Sequence, residues 1–112
     1  THRFVSPRER TFLQKLYDVW KNYEMEYYHT GDLDYAGMKI FQYMRNRIFP
    51  GLQPLRMVAE TFVRYEKYGK KIEDETLEKI RGIEEPCFQP LIQKILETGL
   101  GIEQESFLIK NA

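Results

Sequence analysis

The sequence predicts an α/β fold, a parallel sheet flanked by helices, with a mainly helical carboxyl-terminal part. Two observations predict it. Segments with apolar residues at three- and four-residue steps alternate with short β-like segments, in the order helix, strand, helix, strand, joined by turns of a few residues. The chain of 112 residues is also 42% apolar and 14% aromatic, enough for one compact core and too much for a disordered chain.

Ser6-Pro7-Arg8-Glu9 marks the first helix start. Ser6 can cap, Pro7 takes the first helical position, and Glu9, three residues after the cap, completes a capping box. Phe12, Leu13, Leu16, Trp20 and Tyr23 then share one apolar face, so the spacing predicts a helix over about 7–22. Phe4-Val5, ahead of it, fits the end of an earlier strand. In the next segment Met25, Tyr27 and His29 alternate with more polar neighbours, and Tyr27-Tyr28 ahead of Gly31 predicts a strand over 25–30 that stops at a turn. Met38, Ile40, Phe41, Tyr43, Met44 and Ile48 mark a second helix that ends before Pro50-Gly51. Residues 53–58, with Pro54 at their start, read as a second strand.

Beyond that point the character changes. Residues 60–68 fit a helix or an irregular segment. Residues 73–80 and 86–98 read as two short amphipathic helices, the second carrying Phe88, Leu91, Ile92, Ile95 and Leu96. Gly99-Leu100-Gly101 interrupts the chain before Ile102-Glu103-Gln104-Glu105. The whole, 1–112, reads as a single domain, an α/β half over 1–60 and a mainly helical half over 61–112, with no internal repeat. It opens at Thr1, without a Met and in mid-pattern, so we expect a carboxyl-terminal piece of a longer protein whose first strand lies upstream.

Seventeen basic and seventeen acidic side chains give a formal net charge of zero. That weighs against a free-standing nucleic-acid module built on a basic excess. A nuclease stays open, because metal-holding carboxylates offset basic residues elsewhere. The single cysteine, Cys87, rules out an internal disulfide and a Cys-based zinc cage, and fits a reducing, cytoplasmic setting. Following Pro86 at a helix start, it reads as a small buried apolar residue rather than a nucleophile. We expect no membrane span and no leader.

The chemistry concentrates in His29-Thr30-Gly31-Asp32-Leu33-Asp34-Tyr35-Ala36-Gly37. Two aspartates at i and i+2 sit at the expected carboxyl end of a strand, the edge where α/β sheets bind ligands. Carboxylates held so close repel unless a cation neutralises them, and Mg²⁺ favours such hard oxygen donors. Gly31 and Gly37 would let backbone and phosphate approach closely. The same pattern equally fits Asp32 as the cap of the following helix and Asp34 as a support for its dipole.

Residues 27–41, Tyr-Tyr-His-Thr-Gly-Asp-Leu-Asp-Tyr-Ala-Gly-Met-Lys-Ile-Phe, resemble the Asp-x-Asp strand and following helix of Toprim domains. Ser6-Pro7 before a helix, Pro54-Leu55-Arg56-Met57 and the late Gly101-Ile102-Glu103-Gln104-Glu105 narrow the resemblance. Together they are similar to the carboxyl-terminal Toprim-like domain of the Wadjet anti-plasmid nuclease subunit, over about Thr1 to Leu108. The resemblance implies a Toprim-like sheet and Mg²⁺- or Mn²⁺-dependent hydrolysis of double-stranded DNA, with Asp32 and Asp34 as catalytic metal ligands. It further implies condensin-like motor subunits as partners and allows a homodimer. The family's glutamate at the end of the first strand has no match here, and the piece alone is expected to be inactive. Glu103 and Glu105 match the late Glu-Gln-Glu segment. They are candidates for metal binding and catalysis respectively, or Gln104 and Glu105 serve only to start a last helix.

His29, Gly31, Gly37, Arg45 and Arg47 are candidate phosphate or DNA contacts, each set against packing or a solvated helix face. A second basic group comprises Arg64, Lys67, Lys70 and Lys71, and Tyr27, Tyr28, Tyr35 and Tyr43 fit base stacking or core and rim positions. Four other functions compete with the nuclease. One is a non-catalytic Toprim-like module that binds DNA or a partner, its acids serving as caps. The others are a topoisomerase VI-like strand-cleaving subunit, a sugar-nucleotide enzyme holding a metal diphosphate with Asp-x-Asp, and a wholly helical adaptor. The last fails if residues 25–30 form a central parallel strand.

Overall fold

The computed structural model describes residues 5–21 and 26–109. Phe4, Tyr23 and Met25 of the readings above lie outside them, and Val5 belongs to no strand.

Helix α1 (Pro7–Trp20) begins where the capping box sets it. Ser6 Oγ accepts the Glu9 N–H at 3.1 Å, and Glu9 Oε1 accepts the Ser6 N–H at 2.9 Å, so two otherwise orphaned donors are satisfied. The apolar face is only partly used. Leu13 and Tyr17 pack against the core, whereas Phe12 and Val19 are 61% and 63% exposed.

Strands β1 (Tyr28–His29) and β2 (Gln53–Pro54) pair in parallel, with α2 (Tyr35–Arg47) crossing between them. Gln53 and Leu55 donate the ladder N–H groups, to Tyr27 O at 2.9 Å and His29 O at 2.7 Å. The N–H that Pro54 lacks therefore falls outside the ladder, which is why proline is tolerated there. The chain is thus not wholly helical, although this pair spans only residues 28–29 and, with two strands, has no central one. The parallel sheet is nevertheless much smaller than the sequence predicts: among the described residues it consists of these two short strands. The second strand stops early because Arg56 has φ 63, in the left-handed region, and cannot continue an extended run to Val58.

Helix α3 (Ala59–Tyr65) continues into one 3-10 turn over Glu66–Tyr68. Strand β3 (Lys70–Lys71) follows, antiparallel to β4 (Leu100–Gly101). Between those strands lie α4 (Asp74–Arg81), a 3-10 turn over Pro86–Phe88, and α5 (Gln89–Thr98). Gly99 ends α5 with φ 72, a left-handed cap that favours glycine. Helix α6 (Gln104–Ile109) comes last. The β3–β4 pair has no counterpart in the sequence reading, which treated 99–101 only as an interruption.

One core joins both parts of the chain. Met38 and Phe41 of α2, Phe62 of α3, and Leu91, Ile92 and Ile95 of α5 are all buried. Phe41 meets Phe88 edge-on at 5.2 Å between ring centroids. Cys87, expected inside, is exposed; Phe88 takes the inward position beside it. Among the described residues no helix is long and apolar enough to cross a membrane.

Candidate functional site

The acidic turn is built around Leu33. Its side chain is fully buried, and its backbone exchanges hydrogen bonds with Ile102, N–H to O at 2.7 Å and back at 3.2 Å. Successive residues in extended backbone point to opposite sides, so anchoring Leu33 inward sends Asp32 and Asp34 outward together.

Both carboxylates end helices. Asp34 is the N-cap of α2, its Oδ1 accepting the Gly37 N–H at 2.9 Å. Asp32 Oδ1 accepts the Gln104 N–H at 2.8 Å, across 72 positions of sequence, at the start of α6. The bland reading of the pair thus gives the right kind of contact with the roles changed: Asp34 caps the next helix and Asp32 a remote one.

Glycines fix the turn from two sides. A Cβ on Gly37 would lie 1.9 Å from the Asp32 carbonyl oxygen, so the first turn of α2 rests directly on the Asp32 peptide. A Cβ on Gly101 would lie 3.1 Å from the Asp34 Cβ and 3.0 Å from the Ile72 Cδ1, which places β4 against the other side. The close approach expected at Gly37 therefore serves backbone packing; the open side of that residue is filled by protein. Gly31 is buried, and its nearest neighbour is the His29 Nε2, 3.0 Å from where a Cβ would stand.

His29 ends β1 with its ring 6.3 Å from that of Phe41. Burial lowers its pKa below the usual imidazole range, so the ring is neutral at physiological pH. Its Nε2, the Tyr27 hydroxyl and the Thr30 hydroxyl are buried without a hydrogen-bond partner. Three such atoms within four residues ahead of the acidic turn are unusual, because buried polar atoms are nearly always paired.

The late acidic segment reaches the turn by its backbone. The Glu103 carboxylate pairs with Lys70 Nζ at 2.9 Å across the β3–β4 edge, and that bond raises the Lys70 pKa. Glu105 is exposed in the first turn of α6. Among the described residues no three His, Cys, Asp or Glu side chains form a group able to hold a metal. The donor set nevertheless fits Mg²⁺ or Mn²⁺ in part: two hard carboxylates share a face, beside orphaned polar atoms, with the remaining ligands to come from water, phosphate or elsewhere.

The basic candidates separate. Arg45 forms a two-pronged pair with Glu85, Nη1 to Oε2 at 2.7 Å and Nη2 to Oε1 at 2.8 Å, and lies over the Phe41 ring at 5.3 Å. That hydrogen bonding, which Gln42 supplements, holds the Glu85 carboxyl below its usual range. Arg45 thus ties α2 to the segment before α5 and is already engaged, whereas Arg47 is exposed. Of the second basic group, Arg64 and Lys67 lie over the rings of Tyr65 and Tyr68. Cys87 is held protonated: partial burial and the neighbouring Glu85 push its thiol up, so exposure does not make it a nucleophile. Tyr28 is exposed; Tyr27, Tyr35 and Tyr43 are partly buried, Tyr27 stacking at 5.1 Å on Phe49.

Two features escaped the sequence reading. The Gln104 N–H contact with Asp32 has no local signal, being set by the Leu33–Ile102 bridge. Lys39 does have one, since Lys39, Tyr43 and Arg47 are spaced by four on α2.

A family model described as Wadjet protein JetD, C-terminal, matches residues 9–112. The Wadjet protein JetD of Bacillus cereus (strain Q1) is 31% identical over 109 residues, which cover 94% of this chain and 27% of that protein. The chain thus spans about a quarter of the length of this relative. No solved structure matches.

Proposed function

The chain belongs to the family of the Wadjet JetD carboxyl-terminal domain, and from that premise we propose that it is a Toprim-type, metal-dependent DNA-cleaving domain of a larger prokaryotic anti-plasmid defence protein. The observation that carries this reading is the closed acidic turn, in which Asp32 and Asp34 share a face and Asp32 binds the Gln104 backbone. Asp32 and Asp34 would hold Mg²⁺ or Mn²⁺, whose charge would offset that of the scissile phosphate and the leaving oxygen. Leu33, buried and bridged to Ile102, fixes the backbone that carries both carboxylates. The His29 ring nitrogen Nε2 stands beside Gly31, buried and without a hydrogen-bond partner, close behind the acidic turn. Water is the attacking group in this reading, so the reaction is hydrolysis. Double-stranded DNA as substrate, condensin-like motor subunits as partners, a cytoplasmic setting and a possible homodimer belong to the same proposal.

The test uses the full-length protein with its partner subunits, circular plasmid, and Mg²⁺ or Mn²⁺. Cutting should require the metal, stop with EDTA, and be lost in Asp32→Asn/Asp34→Asn. Cutting that survives the double substitution would refute the assignment. A second reading, a non-catalytic module that binds DNA or a partner, draws on the capping bonds of both aspartates. It predicts no metal-dependent cutting at all and a loss of stability in the same variant.

A further inference from the structure

The face where α1 meets α2 carries a concentration of positive charge that the acidic turn does not use. One concavity of about 330 Å³ is lined by Arg10, Thr11, Gln14, Lys15 and Arg47. A second, of about 360 Å³, is lined by Lys39, Gln42, Tyr43, Asn46 and Arg47. Arg47 borders both, so the two concavities adjoin and together make a trough. Four of its side chains are cationic and none is acidic.

Five cations elsewhere form ion pairs: Lys21 with Asp18, Arg45 with Glu85, Lys70 with Glu103, Arg81 with Glu78, and Lys94 with Glu97. Arg8, Arg56, Arg64, Lys67, Lys71 and Lys79 form none among the described residues; the trough is distinguished by gathering four cations in one lining without an acid. Among the described residues, Arg10, Lys15, Lys39 and Arg47 form no ion pair. Two trough residues also touch acids that are otherwise engaged: Gln14 donates to Asp18, which pairs with Lys21, and Gln42 donates to Glu85, which pairs with Arg45. Four excess cations flanked by amide and hydroxyl groups suit a repeating anion with oxygen acceptors.

The geometry fits a linear polyanion. Lys39, Tyr43 and Arg47 repeat every fourth residue on α2, a stripe about 12 Å long at about 1.5 Å per residue. That length spans about three successive phosphates of one strand, at about 3.4 Å of duplex axis each. Arg10 Nη1 donates to the Tyr43 hydroxyl at 3.3 Å, which fastens α1 to the stripe. One turn earlier on the same face stands Tyr35, with Lys79 Nζ 5.9 Å from its ring centroid, directly after the α2 N-cap Asp34. The stripe therefore leads to the acidic turn.

We infer that the α1–α2 trough is a docking track for the phosphate backbone of duplex DNA, with Arg10, Lys15, Lys39 and Arg47 as its contacts, leading one strand toward Asp34. The choice of DNA as the polyanion rests on the cleavage reading above; the track itself rests on charge and spacing.

The test is duplex binding by this chain, followed by fluorescence anisotropy of a short labelled DNA across a salt series. EDTA is present throughout, so the acidic turn contributes no metal and no cutting. Lys39→Gln/Arg47→Gln and Arg10→Gln/Lys15→Gln should each weaken binding about tenfold and flatten the salt slope by about two, near 0.9 per lost phosphate contact. Lys67→Gln/Lys71→Gln, on the opposite part of the chain, should stay within about twofold under the same non-specific binding law. Lys39→Arg/Arg47→Lys should restore binding, which separates charge from a folding defect. Parent-like binding by both Gln pairs, absence of duplex binding at low salt, or preference for anionic phosphatidylglycerol vesicles over DNA would overturn the track. Loss of plasmid cutting in Asp32→Asn/Asp34→Asn with duplex binding intact would leave the track standing, so the two proposals fail separately.

Discussion

Helices α1 and α5 make opposite uses of similar sequence material. Helix α1 has a complete capping box, proline at its first position and apolar residues at helical spacing, yet none of its residues is buried. Helix α5 has no side-chain cap bond, yet it buries Leu91, Ile92 and Ile95 and packs along α3. Capping fixes where a helix starts; its contribution to stability depends on what its apolar face meets. The body of the molecule thus rests on α2, α3 and α5, while α1 offers the trough on one face and exposed Phe12 and Val19 on another.

That contrast can be broken most sharply at α5. Leu91→Ala removes a fully buried side chain and should cost about 3 kcal/mol or more, read by chemical denaturation. A cost near zero would mean that α5 is not the packing centre. Gly37→Ala comes next, at about 3 kcal/mol, because the new methyl meets the Asp32 carbonyl and backbone must move. It should also disturb the acidic turn. An unchanged melting temperature would contradict the packing of α2 on that turn.

The Arg45–Glu85 tie ranks third. Glu85→Gln should cost about 2 kcal/mol near neutral pH, the scale of a hydrogen bond to a charged group. Its sign with pH follows from the lowered carboxyl pKa. The folded state holds the deprotonated form more tightly than the unfolded chain does, so the contribution is complete above about pH 4.5 and lost as pH falls through the lower folded value. Acid denaturation of Glu85→Gln should therefore be less steep below about pH 4.5 than that of the parent. The smallest effect belongs to α1: Phe12→Ala should change stability by less than about 0.5 kcal/mol, as for an exposed site. A cost as large as that of Leu91→Ala would erase the distinction between the two helices.

The sequence makes the local devices legible and the remote ones silent. Ser6, Pro7 and Glu9 specify a helix start through bonds three residues apart, and Pro50-Gly51 stops α2 close to where its pattern ends. The parallel pair is visible because Tyr28 and Gln53 sit in short segments on either side of a periodic helix. The length of β2 is not, because nothing in Arg56 announces a left-handed backbone that ends it. Arg45 reads as a surface cation until Glu85, 40 residues on, folds beside it. The candidate site divides the same way: Asp32 and Asp34 stand out by spacing, whereas the bond from the Gln104 N–H to Asp32 joins segments that only the Leu33–Ile102 bridge brings together.

In our proposal Asp32 and Asp34 together hold a divalent cation. This is tested most directly by titrating Mn²⁺ into the chain and counting bound metal by electron paramagnetic resonance, beside Asp32→Asn/Asp34→Asn and the single variants. The account predicts metal binding by the parent that the double variant loses while circular dichroism shows its helices intact. Equal Mn²⁺ binding by parent and folded double variant, or none by the parent, would contradict it and leave the two aspartates as helix caps.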